Sequence, residues 1–283
     1  MNESIEALAE LLDHGGRVAV LTGAGCSTDS GIPDYRDDEG EWKNARPVMY
    51  ADFMEQGAVR QRYWARSMLG WPRMNEAQPG RAHAALAQLQ RAGHVERLIT
   101  QNVDGLHQAA GSHDVIDLHG RLDEVACQNC GLVLPRADWQ GTIADANREF
   151  RALVSSVREA PDGDAIIEGA DYSAFTVPDC PRCGGIIKPE VVFFGENVPR
   201  ERVDAAYDAV ANAIALLVVG SSLMVFSGFR FARRTRELNK PLYIMNRGRT
   251  RADDIATAKV SAGAAEALEA LTAALGVSTA VNG

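Results

Sequence analysis

A chain of 283 residues, 46% hydrophobic and 24% charged, has the make-up of a globular protein with one large domain, or one domain plus a small module. Its net charge of −9 argues against a dedicated nucleic-acid binder, which needs clustered Lys and Arg to neutralise phosphates. The acidic start lacks the basic segment of a signal peptide, and the longest apolar run, residues 213–220, is too short to cross a bilayer; a cytoplasmic location is expected.

The first element is an amphipathic helix, with Ile5, Leu8, Leu11 and Leu12 on one stripe and Gly15-Gly16 as its stop. "VAVLT" (18–22) is a short, wholly apolar strand of the kind buried on both faces of a parallel sheet. It runs into Gly23-Ala24-Gly25, the opening of a dinucleotide loop that should lead into a helix. A Rossmann fingerprint would need a third glycine where Thr28 stands. Residues 45–75 then read as helical and rich in aromatics and Arg. The next helix places Ala82, Ala85, Leu86 and Leu89 on one face and ends at Gly93. Strands are expected at 95–100, 114–120, 213–220 and 241–246. The helix between the last two carries "FRFARRTR" (229–236), whose cations read as a solvated face. A final helix holds Leu268, Leu271 and Leu275, and the tail 277–283 should fray.

Strands alternating with helices imply an α/β fold with a doubly wound, Rossmann-like parallel sheet. Two insertions break the alternation and should form a smaller lobe, a helical segment at 45–75 and a zinc-binding module at 121–188. The large lobe is then expected from 1–44, 76–120 and 189–276 of a single catalytic domain.

Four of the five cysteines form the pairs Cys127-x-x-Cys130 and Cys180-x-x-Cys183. Two such turns can close a tetrahedral four-sulfur shell around one zinc ion, leaving no open position for catalysis. The 49 residues at 131–179 exceed the usual ribbon spacing, so buried thiols or a redox pair remain the alternative. Cys26 is left over. It is either a thiol activated at a helix N-terminus or a small apolar filler. Gln101, Asn102 and Asp104 follow a strand, where amides can read ribose hydroxyls or a carboxamide; a polar turn capping the next helix is the other reading. His119 ends a strand beside Gly120 and is a candidate general base, or else a satisfied structural histidine. His14, His83 and His107 read as structural.

"GAGCSTDSGIPDYRD", "TQNVDGLHQAAG", "LHG", the two cysteine pairs, "KPEVVFFGE", "GSSLMV" and "IMN" occur in the order and spacing of the sirtuins, NAD-dependent protein deacylases. The chain resembles that family from about residue 18 to residue 275, and residues 46–72 are most similar to its class II branch. The resemblance implies that Gly23, Ala24, Gly25 and Ser27 meet the NAD diphosphate and that Asp34, Tyr35 and Arg36 close over the nicotinamide ribose. By the same likeness Gln101, Asn102 and Asp104 line the ribose and nicotinamide pocket. The adenosine half would meet Gly220, Ser221, Ser222, Asn246, Arg247 and Gly248, with Ala264 near the adenine, where the match is loose. His119 matches the catalytic histidine, and Asn102 is assigned to catalysis with it. Val192, Phe193, Gly195 and Glu196 would flank an acyl-lysine peptide on one edge, with Leu223 and Val225 on the other. The implied reaction moves the acyl group from lysine to ADP-ribose and releases nicotinamide. Its cofactors would be NAD and one structural zinc ion, and its partners acyl-lysine proteins, with neither nucleic acid nor membrane.

Three other functions share parts of this pattern. A dehydrogenase would use the same sheet but should carry the third glycine. A non-catalytic zinc module would leave Gln101–Asp104 and His119 without purpose. A protein mono-ADP-ribosyltransferase would use the same NAD site.

Overall fold

The computed structural model describes residues 3–43, 47–153, 158–159, 165–166 and 171–277. The tail beyond 277, the start of the first inserted segment (45–46) and most of 154–170 in the second lie outside the described residues.

In chain order the first part runs α1 (Glu3–Asp13), β1 (Val18–Thr22), α2 (Tyr50–Glu55), α3 (Gly57–Glu76), α4 (Arg81–Arg91), β2 (Val95–Thr100), α5 (Leu106–Ala109) and β3 (Ile116–Asp117). The middle holds β4 (Gly120–Cys127), β5 (Val133–Pro135), α6 (Arg136–Ala146), α7 (Arg148–Leu153), β6 (Arg158–Glu159), β7 (Ala165–Ile166) and β8 (Ile187–Val191). The last part is α8 (Arg200–Asn212), β9 (Ala215–Val219), α9 (Phe226–Glu237), β10 (Leu242–Met245), β11 (Ala258–Val260) and α10 (Ala264–Ala274).

Six strands form a parallel sheet in the order β3-β2-β1-β9-β10-β11. Every residue of β1 and β9 is buried, as continuous apolar runs require when both faces are covered. On one face α1, α4 and α10 bury Leu8, Leu86 and Leu268 against Val20 and Leu217. On the other, α8 and α9 bury Ala206 and Phe231 against Leu21 and Val218. Strand order reverses between β1 and β9, so their carboxyl ends diverge and leave a crevice. A separate core packs α2, α3 and α6 on the antiparallel sheet β5-β4-β8, around Trp64, Trp139, Phe53 and Ile187.

Two expectations need correction. The strand over 114–120 ends at Asp117, and Leu118–His119 form a turn into β4. Gly120 makes that turn possible: its φ is +78°, and a Cβ there would lie 2.0 Å from the Glu190 oxygen. The Gly23–Gly25 loop enters no α-helix. It continues as two 3-10 turns, Ala24–Cys26 and Thr28–Ser30, because short polar side chains compete for the backbone; Thr28 Oγ1 donates to Gly25 O at 3.2 Å. The helix α8 had no counterpart among the predicted elements.

Candidate active site

The crevice at the strand reversal opens into a cavity of about 820 Å³. All the residues assigned above to NAD or to the acyl-lysine peptide line it, Ala264 included. That volume lies within the range of small-molecule and cofactor sites.

Its floor is two loops in backbone contact. Gly25 N–H donates to Gly220 O at 2.9 Å, and a Cβ on Gly220 would sit 2.6 Å from Cys26 N. These glycines therefore let the ends of β1 and β9 touch, and their own N–H groups are spent on Gly220 O and Met245 O. Between the loops Cys26 is 1% exposed and its thiol faces Val219 O at 3.5 Å. Burial pushes that thiol up to about 12, which disfavours the thiolate an activated thiol needs and fits the packing reading.

The polar end of β2 fixes which atoms face the cavity. Asn102 Nδ2 donates to Gly23 O at 3.1 Å and to Ser27 Oγ at 3.0 Å, leaving Oδ1 as an acceptor. Gln101 Nε2 likewise donates to Thr22 O and Ser221 Oγ, at 3.1 and 2.8 Å. Ser27 Oγ donates in turn to Asp104 Oδ2 at 2.7 Å, and Asp104 Oδ1 accepts from Leu106 N–H. Asp104 thus takes up an N–H of the first turn of α5, just ahead of the N-cap Gly105, and anchors Ser27.

His119 Nδ1 lies 3.0 Å from the Gln101 carbonyl, which can only accept, so the neutral ring carries its proton there. Nε2 is then the basic nitrogen, and Ser227 Oγ donates to it at 2.8 Å. Burial holds His119 below its ordinary value of 6.5, with Arg230 and Arg202 adding to the effect. Ser227 went unnoticed in the sequence because no motif spacing links it to His119.

Beneath Asn102 lie two buried histidines, His83 and His107, with ring centroids 4.8 Å apart. His83 Nδ1 accepts from Gly80 N–H. His107 Nε2 donates to Thr22 Oγ1, which donates to Thr100 Oγ1, the acceptor of Asn102 N–H. The Nδ1 of His107 is buried with no hydrogen-bond partner. Burial lowers both histidines, and for His107 a charge on His83 lowers it further. The unfolded chain therefore binds more protons, and this stability is present above 6.5 and lost as pH falls below it. We expect the Tm to fall between about pH 7 and about pH 5. His107→Gln, which keeps an N–H donor, should flatten that slope; an unchanged slope would remove His107 from the acid response.

The cavity's other walls are held from behind. Lys188, with a side chain 4% exposed, donates to Val191 O at 2.5 Å and pairs with Glu196 at 3.2 Å. Glu196 Oε2 also accepts from Phe193 N–H at 2.8 Å. Its carboxylate thus faces inward and braces the 192–196 loop, where the sequence suggested a direct peptide contact. Arg36 stacks on Trp42 at 3.9 Å and donates to Gly40 O at 2.6 Å, giving the 34–43 segment its own internal bonds. Arg249 N–H ties it to the loop after β10 by donating to Asp38 O at 2.7 Å.

The four paired cysteines meet at the end of the small sheet, with all four sulfurs within 4.8 Å of one another. Cys127 and Cys183 sulfurs lie 3.6 Å apart, and those of Cys130 and Cys180 3.8 Å. A zinc ion with Zn–S bonds of about 2.3 Å needs tetrahedral edges of about 3.8 Å, so the set fits it. Both turns share one bonding pattern: Gly131 N–H donates to Cys127 O, and Gly184 N–H to Cys180 O.

A doubly wound sheet with a polar crevice at its strand reversal, joined to a four-cysteine module, defines a nucleotide-binding α/β protein with a structural metal site. Residues 23–227 match the Sir2 family. The "NAD-dependent protein deacetylase" of Bordetella bronchiseptica is 56% identical over 257 residues, covering 91% of this chain and 93% of that protein. The protein of that name from Xanthomonas axonopodis pv. citri is 53% identical over 266 residues, covering 94% and 90%. A solved Sir2 structure with a p53 peptide and NAD+ superposes with a TM-score of 0.74 at 33% identity, covering 95% of this chain and 97% of that one. This chain belongs to the Sir2 family. No helix among the described residues is long and apolar enough to cross a membrane.

Proposed function

We propose that the protein is an NAD-dependent lysine deacylase of the deacetylase type, acting on acyl-lysine proteins in the cytoplasm. The observation that carries this is the placing of His119, its Nδ1 on the Gln101 carbonyl, in one cavity with Asn102 and the 192–196 loop. The names of its relatives support the same reading.

In this reading 1–44, 76–120 and 189–276 bind NAD, while 45–75 and 121–188 form the smaller lobe. NAD supplies the labile nicotinamide–ribose bond and the ADP-ribose that accepts the acyl group. Loops 23–27 and 220–222 flank the diphosphate, and Asp34, Tyr35 and Arg36 close over the nicotinamide ribose. Asn246, Arg247, Gly248 and Ala264 flank the adenosine half. Asn102 Oδ1 and Gln101 Oε1 are acceptors suited to ribose hydroxyls, since their N–H groups are engaged within the protein. Val192, Phe193 and Gly195 on one edge, and Leu223 and Val225 on the other, hold the peptide as an added strand, with Glu196 bracing its loop. His119 Nε2 takes the proton of a ribose hydroxyl, and the Gln101 carbonyl stabilises the imidazolium through Nδ1–H. Zinc on Cys127, Cys130, Cys180 and Cys183 takes no part beyond holding the small lobe.

A panel of acyl-lysine peptides, from acetyl to longer and dicarboxylic chains, incubated with NAD tests this by mass spectrometry. The expected products are the free-lysine peptide and nicotinamide. If no peptide loses its acyl group while an added acceptor protein gains ADP-ribose, the mono-ADP-ribosyltransferase reading replaces this one.

A further inference from the structure

The arginine-rich run 229–236 lies on α9, and the reaction described above uses none of its exposed cations. We propose that the groove between α8 and α9 docks an acidic segment of the protein substrate flanking its acyl-lysine. This rests on the deacylase reading.

Three observations point to that occupant. The groove encloses about 510 Å³, and its walls carry Arg230, Arg233 and Arg234 together with Asp208 and Glu237. Phe226 and Arg230 line both this groove and the main cavity, so a chain leaving the acyl site past Val225 runs into it. The cations are underused within the protein. Arg233 and Arg234 share one carboxylate, Glu237, at 3.9 and 3.3 Å, and both are about half exposed. Arg230 stacks near the Phe226 ring at 5.4 Å, and its Nε is buried with no hydrogen-bond partner.

The net charge of −9 disfavours the approach of acidic chains overall. A local surplus of guanidinium groups beside the active cavity therefore decides where such a chain can be held. Guanidinium forks bind carboxylates in paired hydrogen bonds, and the Phe226 and Tyr207 rings at the groove give apolar stems a surface. Exposed pairs are individually weak, so a gain of about three- to tenfold is expected from two or three together. It should fade as the screening length shrinks from about 10 Å at 0.1 M salt to about 3 Å at 1 M.

The test uses matched acetyl-lysine peptides with neutral flanks, with an aspartate run on the N-terminal side, or with the run on the C-terminal side. Turnover with NAD and binding by fluorescence anisotropy are measured for the wild type and for Arg233→Gln/Arg234→Gln. One acidic peptide should gain about three- to tenfold in kcat/KM through KM, and lose the gain in the double variant and at high salt. The neutral peptide should behave alike in both proteins. Equal use of all three peptides would overturn the proposal, as would a preference that survives in the double variant. Competition by a short oligoribonucleotide that depends on the same arginines would assign the groove to nucleic acid instead. Absence of turnover on every peptide would count against the deacylase reading, while anisotropy would still report on the groove.

Discussion

Cys180→Ser should give a protein that aggregates or unfolds, holding far less than the one zinc per chain expected of the wild type. The expected effect is large because the cysteines are part of a core. Cys127 and Cys180 are 3% and 4% exposed and pack with Trp64, Trp139 and Phe175. Structural zinc contributes about 10–16 kcal/mol in isolated zinc-finger peptides. A whole domain is stable by only about 5–15 kcal/mol, so the small lobe has no reserve to offset the loss. The β4–β8 pairing that leaves the cysteine cluster also carries Lys188, whose ion pair with Glu196 braces the 192–196 loop proposed to hold the peptide. Chelation of the wild type should therefore abolish peptide turnover as well as lower the Tm. A stable, active, metal-free preparation would sink the zinc assignment.

His119→Ala should keep its zinc and its thermal protection by NAD yet lose about 10²- to 10⁴-fold in acyl transfer, the range for a general base. The ring's hydrogen bonds go to Gln101 O and Ser227 Oγ, neither of which holds the cavity walls together, so its removal should leave them in place. The wild-type pH profile carries a second signature. The base must be unprotonated, and burial holds its value below 6.5. Acyl transfer should thus be flat through neutrality and fall only as pH drops below that value. An acid limb centred above 6.5, or near-normal turnover in His119→Ala, would take His119 out of the proton-transfer step.

Several features were legible without any structure. "VAVLT" and "VERLIT" fall on β1 and β2 residue for residue: the first is a continuous apolar run, and the second ends in the buried Leu98-Ile99-Thr100 after a glycine has stopped the preceding helix. Ala82, Ala85, Leu86 and Leu89 sit inside α4 because helical period and burial coincide there. The two cysteine pairs announced a metal site because tetrahedral sulfur chemistry constrains spacing more tightly than packing does. The helix α8 could also have been found, since Val203, Ala206 and Val210 recur at helical spacing and are buried. The strand expected at 114–120 is shorter than its pattern because Leu118 continues the apolar alternation although it lies in the turn that leads through Gly120 into another sheet.

Tertiary structure alone decided the partners and orientation of the candidate catalytic groups. Ser227 lies 108 residues from His119, and Ser27 lies 75 from Asn102, so local periodicity carries no trace of either contact. Cys26 shows the same limit most sharply. Its neighbours Gly25 and Ser27 left both an activated thiol and a small apolar filler open, and the choice depends on how deeply the loops after β1 and β9 close over it. That closure leaves it 1% exposed against Val219 O. Residue type and spacing therefore set which chemistry was available to this chain. Which groups carry charge, and which face the ligand, depended on burial and on partners that folding brings from elsewhere in the sequence.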